Sequence, residues 1–169
     1  MNKKEKIEQE FQKVVAAYQE IADSIIDNVE VFAGSDYSCY PTTREIEIPY
    51  LISENEANAF LISVNKASVG NIDVNNFEIY IWSILHEIGH LSSKQGDVIS
   101  RVGRKISQLL CKCRLLKFAN KIYFNLPEEK NATEWATDYV NLHYQEVKQL
   151  EQKLQDAYYN FYNSLGIKI

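Results

Sequence analysis

The chain has 169 residues, of which 46% are hydrophobic and 24% charged, and its formal net charge is −5. This length and composition predict one globular domain, residues 1–169, with a proper core. The negative charge argues against nucleic acid as the partner of the whole protein, and no apolar run approaches membrane-spanning length. The charged N-terminus lacks a signal segment, and three cysteines do not suggest a disulfide framework, so we expect a cytoplasmic protein.

The first 50 residues carry a helical pattern and then two alternating patterns. Apolar residues at spacings of three and four predict an amphipathic helix over residues 3–27. The stretches VEVFAGS and REIEIPYL alternate and predict paired strands, with the turn-rich stretch SDYSCYPTT between them. A third short strand is predicted over Ala59–Val64.

The rest of the chain is predicted to be helical. Asn75 followed by Glu78 resembles a capping box, which opens a helix that ends near Ser93. Periodicity predicts a further helix over Val98–Tyr123 and a long last helix over Ala132–Leu165. The order predicts a mainly helical α+β fold with a small antiparallel sheet, which packs on the helix that ends near Ser93.

The stretch IWSILHEIGHLSS, residues 81–93, holds two of the three histidines. On a helix, His86 and His90 lie one turn apart on one face, opposite an apolar face. Imidazoles at this spacing can bind one ion, and Glu87 between them can act as a base on a water molecule, as in the HExxH zinc motif. Gly89 weakens the helix by roughly 1 kcal/mol relative to alanine, which suggests that a crossing helix or a substrate approaches its backbone closely.

A catalytic zinc site needs a third protein ligand downstream of the motif. Glu134 is predicted for this role, because it lies in the first turn of the last helix with Asp138 on the same face. Asp138 would then accept the free N–H of a ligating histidine. We place Glu128 and Glu129 in a proline-containing loop, where orientation is less fixed. The alternative role for Glu134 is a cap with Asn131 at the helix start.

The segments HEIGH and EWATDYV together resemble the gluzincin metallopeptidases, and more narrowly the ImmA/IrrE-like and phage-encoded peptidase families. The resemblance implies that His86, His90 and Glu134 are the ligands of Zn²⁺. It further implies that Glu87 is the catalytic base and that Asp138 supports a ligand. The expected activity is hydrolysis of peptide bonds in a protein substrate, such as a regulatory protein of a phage or mobile element.

Residues 98–123 hold seven basic and no acidic residues beside a run of apolar positions, which predicts a basic amphipathic helix. A solvated charged face explains this pattern, and so does anchoring on DNA, on a membrane surface or on an acidic protein. The alternative function is therefore a non-catalytic, zinc-containing regulatory module that engages a partner through this helix. Tyr123, at its end, is a candidate donor to the oxyanion of a hydrolytic reaction.

Overall fold

The computed structural model describes residues 2–50, 79–92 and 98–167. In chain order its elements are α1 (Lys3–Ile25), β1 (Glu30–Gly34), β2 (Ser38–Tyr40), β3 (Glu45–Pro49), α2 (Ile79–Ser92), α3 (Val98–Lys112), α4 (Leu116–Tyr123), α5 (Pro127–Leu142) and α6 (Tyr144–Leu165). Helices predominate over one small sheet, which confirms the mainly helical α+β fold. The predicted strand Ala59–Val64 and the capping box of Asn75 and Glu78 lie outside the described residues.

Helix α1 follows the predicted amphipathic pattern and packs against α6. It begins at a capping box, in which the Asn2 side chain accepts a hydrogen bond from the backbone N–H of Glu5 at 2.9 Å. Its buried face includes Phe11 and Tyr18. The Phe11 ring lies 5.0 Å from the ring of Phe161 in α6, measured between centroids. The two terminal helices therefore form one wall of the core.

The sheet has the strand order β1–β3–β2. Strand β2 pairs antiparallel with β3, whereas β1 pairs parallel with β3, with Val31 opposite Ile46. The sheet is therefore mixed, which corrects the prediction of an antiparallel sheet. The reason is that β2 occupies the stretch SDYSCYPTT, which we interpreted as a turn. The additional strand reverses the chain once more, so β1 and β3 run in the same direction.

The segment predicted as one helix over Val98–Tyr123 forms two helices, α3 and α4. Helix α3 ends at Lys112, and Arg114 just beyond it has a φ of 60°, in the left-handed region. The backbone N–H of Leu115 then donates to the carbonyl of Leu110 at 2.9 Å, as at a Schellman helix end. The Ser107 hydroxyl donates to a backbone carbonyl of α4 at 3.0 Å. The two helices therefore form a hairpin, called here the α3–α4 hairpin.

The last helical segment also differs from the prediction of one helix over Ala132–Leu165. Helix α5 begins earlier, at Pro127, and a break at His143 separates it from α6. Proline is well tolerated at the first helical position, where its missing N–H would have no helical partner. The proline that we placed in a loop therefore starts the helix, so Glu128 and Glu129 lie in the first turn.

Helix α2 lies at the centre of the fold, and residues 81–89 are all buried. It contacts α1, α5, α6 and strand β2, which confirms that the sheet packs on the HExxH helix. A Cβ atom added at Gly89 would lie 2.6 Å from the carbonyl oxygen of Ala132. Of the two expected neighbours, a crossing helix therefore accounts for this glycine. Among the described residues, no helix is long and apolar enough to cross a membrane.

Candidate metal centre

The two histidines of the motif are held by aromatic contacts on α2. His86 is buried, and its ring stacks on the indole of Trp82 with 5.1 Å between centroids. The ring of His90 lies edge-on to that of His86, 4.8 Å away. Both imidazoles are therefore restricted in orientation, and their Nε2 atoms approach the same carboxylate.

That carboxylate belongs to Glu129, in the first turn of α5. Its Oε2 atom lies 3.3 Å from Nε2 of His86 and 3.4 Å from Nε2 of His90. One ligand atom from each of the three residues lies within 4.8 Å of the other two. The close crossing of α2 and α5 at Gly89 makes this possible, because it brings the start of α5 over the histidines.

The three residues fit a metal ion by spacing and by chemistry. Ligand atoms around a tetrahedral ion with bonds of about 2.0–2.1 Å are separated by roughly 3.3 Å, close to both measured distances. Two imidazoles and one carboxylate are a donor set of catalytic zinc sites. The second oxygen of Glu129, Oε1, is buried and has no hydrogen-bond partner in the described part of the chain. The cluster of His86, His90 and Glu129 can therefore hold a metal ion.

The structure does not bring Glu134 or Asp138 into this cluster, and both side chains are exposed. Because α5 begins at Pro127, Glu134 lies in its second turn and not in its first. Five residues correspond to a rotation of about 140°, so Glu134 and Glu129 face different directions. The carboxylate that the structure places with the two histidines is therefore that of Glu129 and not that of the predicted Glu134. The sequence signal that could have identified Glu129 was Pro127, because proline favours the start of a helix and two acidic residues follow it.

Thr133, and not the predicted Asp138, lies beside the second ring nitrogen of a histidine. Its buried hydroxyl lies 3.3 Å from Nδ1 of His86, one helical turn after Glu129. When the hydroxyl accepts a hydrogen bond from Nδ1–H, Nε2 of His86 is left unprotonated and can bind a metal ion. Thr133 was not predicted, because the partner expected for the histidine was an acidic residue. The spacing of four residues after Glu129 was the available signal.

A second carboxylate is buried beside the cluster and is paired with an arginine of α3. Oε1 of Glu128 accepts a hydrogen bond from Nε of Arg104 at 2.5 Å. A guanidinium nitrogen of Arg104 also lies 3.6 Å from Oε1 of Glu129. Arg104 therefore places a positive charge beside two adjacent buried carboxylates. In the sequence, Arg104 is one of the seven charges of the basic segment, and its pairing with these carboxylates was not predicted.

The surroundings favour an ionised Glu129. Burial by itself would raise the pKa of Glu129, but hydrogen bonds to His86 and His90 hold that pKa far below its usual range. Burial likewise would lower the pKa of His90, but its hydrogen bond to Glu129 and the charge of that group raise it. The carboxylate is therefore ready to bind a cation, and the cation must compete with a proton on His90.

Two further groups border the cluster with shifted pKa values. Burial raises the pKa of Glu87, and the nearby charges of His86 and His90 offset part of this effect. A raised pKa suits a carboxyl group that exchanges a proton near neutral pH. Burial also raises the pKa of Tyr123, and the charge of Glu129 raises it further. The Tyr123 hydroxyl is therefore protonated and can donate a hydrogen bond beside the cluster.

Strand β2 lies close to the same region. Burial raises the pKa of the Cys39 thiol in β2 to about 12, and the negative charge of Glu87 contributes to the increase. Cys39 is a free, half-buried cysteine. An edge of the sheet therefore borders the candidate metal centre.

Comparison of the chain with protein-family models, with curated proteins and with solved structures finds no match. The function of the chain must therefore be inferred from its own residues and from the geometry of this centre.

Proposed function

We propose that the chain is a zinc-dependent metallopeptidase. The observation that supports this function best is the cluster of His86, His90 and Glu129 with Glu87 buried beside it. A purely structural zinc site needs ligands but no base. Burying a carboxyl group next to the ligands is costly, and its raised pKa is useful for proton transfer. The glutamate of the motif is therefore better explained by catalysis than by folding.

A Zn²⁺ ion held by His86, His90 and Glu129 would polarise the scissile carbonyl and lower the pKa of a water molecule to about 7. Glu87 takes a proton from the water molecule while the water oxygen attacks the peptide carbonyl. Glu87 then delivers the proton to the leaving amine. Tyr123, protonated beside Glu129, donates a hydrogen bond to the oxygen on which negative charge develops.

The substrate proposed for this centre is an extended protein segment. Strand β2 pairs with β3 along one side and forms an edge of the described sheet. It carries Cys39, which is close enough to Glu87 to be affected by its charge. A peptide that paired with β2 would pass near Glu87 and be held mainly by its backbone. The resemblance to ImmA/IrrE-like peptidases suggests a phage or mobile-element regulatory protein as the substrate.

The variant Glu87→Gln tests this function. The amide keeps the size of the side chain but cannot accept the proton, so turnover should fall by roughly 100-fold or more. Metal content, measured by mass spectrometry, and the thermal melting temperature should both stay close to wild type. Hydrolysis is measured as new peptide termini in a library of natural peptides. A zinc-loaded wild type that cleaves none of them, or an equally active Glu87→Gln variant, would contradict the proposal.

A second candidate is a non-catalytic, zinc-containing binding module that engages a partner through the α3–α4 hairpin. The exposed apolar side chains of that hairpin favour it. Under this alternative, Glu87→Gln would leave every measurable function of the protein unchanged. The same variant therefore separates the two candidates.

A further inference from the structure

The α3–α4 hairpin differs in charge from the rest of the molecule. Residues 98–123 contain seven of the 18 basic residues and none of the 23 acidic residues. The chain as a whole is acidic, with a formal charge of −5. Positive charge is therefore concentrated in one structural unit, which favours a partner with a negatively charged surface.

The same hairpin exposes several large apolar side chains. Val102, Ile106 and Leu109 follow each other at intervals of four and three residues, so they line one face of α3. Leu109 is 61% exposed, and Phe118 in α4 is 63% exposed. Leu115, between the two helices, is exposed as well. These five residues, called here the apolar stripe, make up a surface that water solvates poorly.

The stripe on α3 points away from the candidate metal centre. Arg104 reaches towards Glu128 and Glu129, beside the histidines. At 100° per residue, the middle of the α3 part of the stripe lies about 170° around the helix from Arg104. Gly103 and Ser107 face the packed side, against Leu126 and α4. A partner on the α3 part of the stripe would therefore not contact the candidate metal centre.

We propose that the α3–α4 hairpin binds the surface of a bilayer that contains anionic phospholipids. The exposed basic residues Lys105, Lys112, Arg114 and Lys121 accompany the stripe along both helices. Such a combination places cations at lipid headgroups while apolar side chains enter the boundary of the acyl chains. It needs no shaped groove on the partner, so a ridge of helix side chains is sufficient. This inference is independent of the proposed peptidase activity.

Other partners fit these residues less well. Double-stranded DNA would pair with the basic residues through its phosphates but would leave the apolar stripe without a role. A symmetric dimer through this face would bring two positively charged hairpins together. A bilayer surface accommodates both the charge and the apolar side chains.

The test is co-sedimentation of the full chain with lipid vesicles. Vesicles of phosphatidylcholine alone are compared with vesicles of phosphatidylcholine and phosphatidylglycerol in equal parts. We expect binding to the anionic vesicles only, and weaker binding at higher salt because the attraction of the basic residues is screened. Absence of binding to anionic vesicles would overturn the proposal.

Matched variants assign the binding to the hairpin. Leu109→Ser combined with Phe118→Ser should reduce binding by about tenfold or more, because both side chains supply apolar area to the interface. Leu142→Ser is the control, since Leu142 is 80% exposed but lies in α5. Lys105→Gln with Lys112→Gln should also weaken binding, whereas Lys153→Gln in α6 should not. Phe118→Ser alone replaces the double variant if the latter fails to fold.

Folding is checked by the helical circular dichroism signal. Vesicle binding that persists in the folded serine variants would contradict a role for the stripe. Binding of duplex DNA that depends on Lys105 and Lys112, without vesicle binding, would show that the hairpin binds nucleic acid. An oligomer that dissociates on Leu109→Ser, again without vesicle binding, would assign it to self-association. Either result would overturn the membrane proposal.

Discussion

Two glutamates of the same helix lie in opposite environments, although only five residues separate them. Glu129 is buried against His86 and His90, whereas Glu134 is exposed to solvent. Only the buried glutamate has the geometry of a metal ligand.

Replacing each glutamate should therefore have different effects. We expect Glu129→Ala to lose most of its zinc and to unfold at a lower temperature, because metal binding stabilises the folded state. Glu134→Ala should retain zinc and melt within a few degrees of wild type, since surface changes usually alter stability by at most about 0.5 kcal/mol. Metal analysis and a thermal melt of both variants check this. Zinc loss in Glu134→Ala with retention in Glu129→Ala would reverse our assignment.

The difference between these residues shows what the sequence could predict. His86, Glu87 and His90 follow from local helical spacing, which the sequence displays directly. The role of Glu129 depends on where α5 begins and on where it crosses α2, and although Gly89 signals a close approach, no local pattern says which segment makes it. The start of α5 at Pro127 was in principle readable, since proline favours the first position of a helix.

At the scale of elements, the close crossing of α2 and α5 determines the geometry of the candidate metal centre. Gly89 allows the two backbones to approach, because its position faces the backbone of Ala132 directly. The sequence predicted a close approach here but could not choose between a helix and a substrate. Strand β2 was missed because three residues in a turn-rich stretch carry little strand signal.

The variant Gly89→Ala tests this crossing. Alanine normally favours a helix over glycine by about 1 kcal/mol, but here its Cβ would lie 2.6 Å from a backbone oxygen and 2.9 Å from a Cα atom. The helices must move apart, so we expect a net destabilisation of about 1–3 kcal/mol and weaker zinc binding. Chemical denaturation and a zinc competition assay measure the two effects.

Gly103→Ala is the matched control for this variant. A Cβ atom at Gly103 would come close to the end of the Leu126 side chain and would lie 4.0 Å from Ile122, so it would meet side chains and not backbone. We therefore expect a smaller loss of stability and zinc affinity close to wild type. A Gly89→Ala variant as stable as Gly103→Ala, with unchanged zinc affinity, would show that the crossing is not critical.

At the scale of the whole molecule, the cluster couples folding stability to pH in two opposite ways. The pKa of Glu129 is lowered by folding, so its contribution is present above its unfolded pKa and is lost as the pH falls further. The pKa of His90 is raised, so its contribution is present below about pH 6.5 and is lost as the pH rises through the folded value. Without metal, the pair therefore stabilises the fold mainly in mildly acidic solution.

If His90 is a ligand, zinc should reverse this dependence, because a metal ion can bind the imidazole only after the proton has left. We expect the difference in melting temperature between zinc-loaded and chelator-treated protein to increase from about pH 5.5 to about pH 7.5. Thermal melts at several pH values, with and without chelator, measure this difference. A difference that is constant or decreases over this range would argue against His90 as a ligand.

The order of the ligands along the chain has a topological consequence. His86 and His90 precede the α3–α4 hairpin, and Glu129 follows it. A bound ion would therefore act as a cross-link that closes a loop around the hairpin. By analogy with a disulfide, closing a loop of about 40 residues removes chain entropy from the unfolded state equivalent to roughly 4 kcal/mol. Chelation would then lower the free energy needed to unfold the segment that carries the hairpin, in addition to removing the ion.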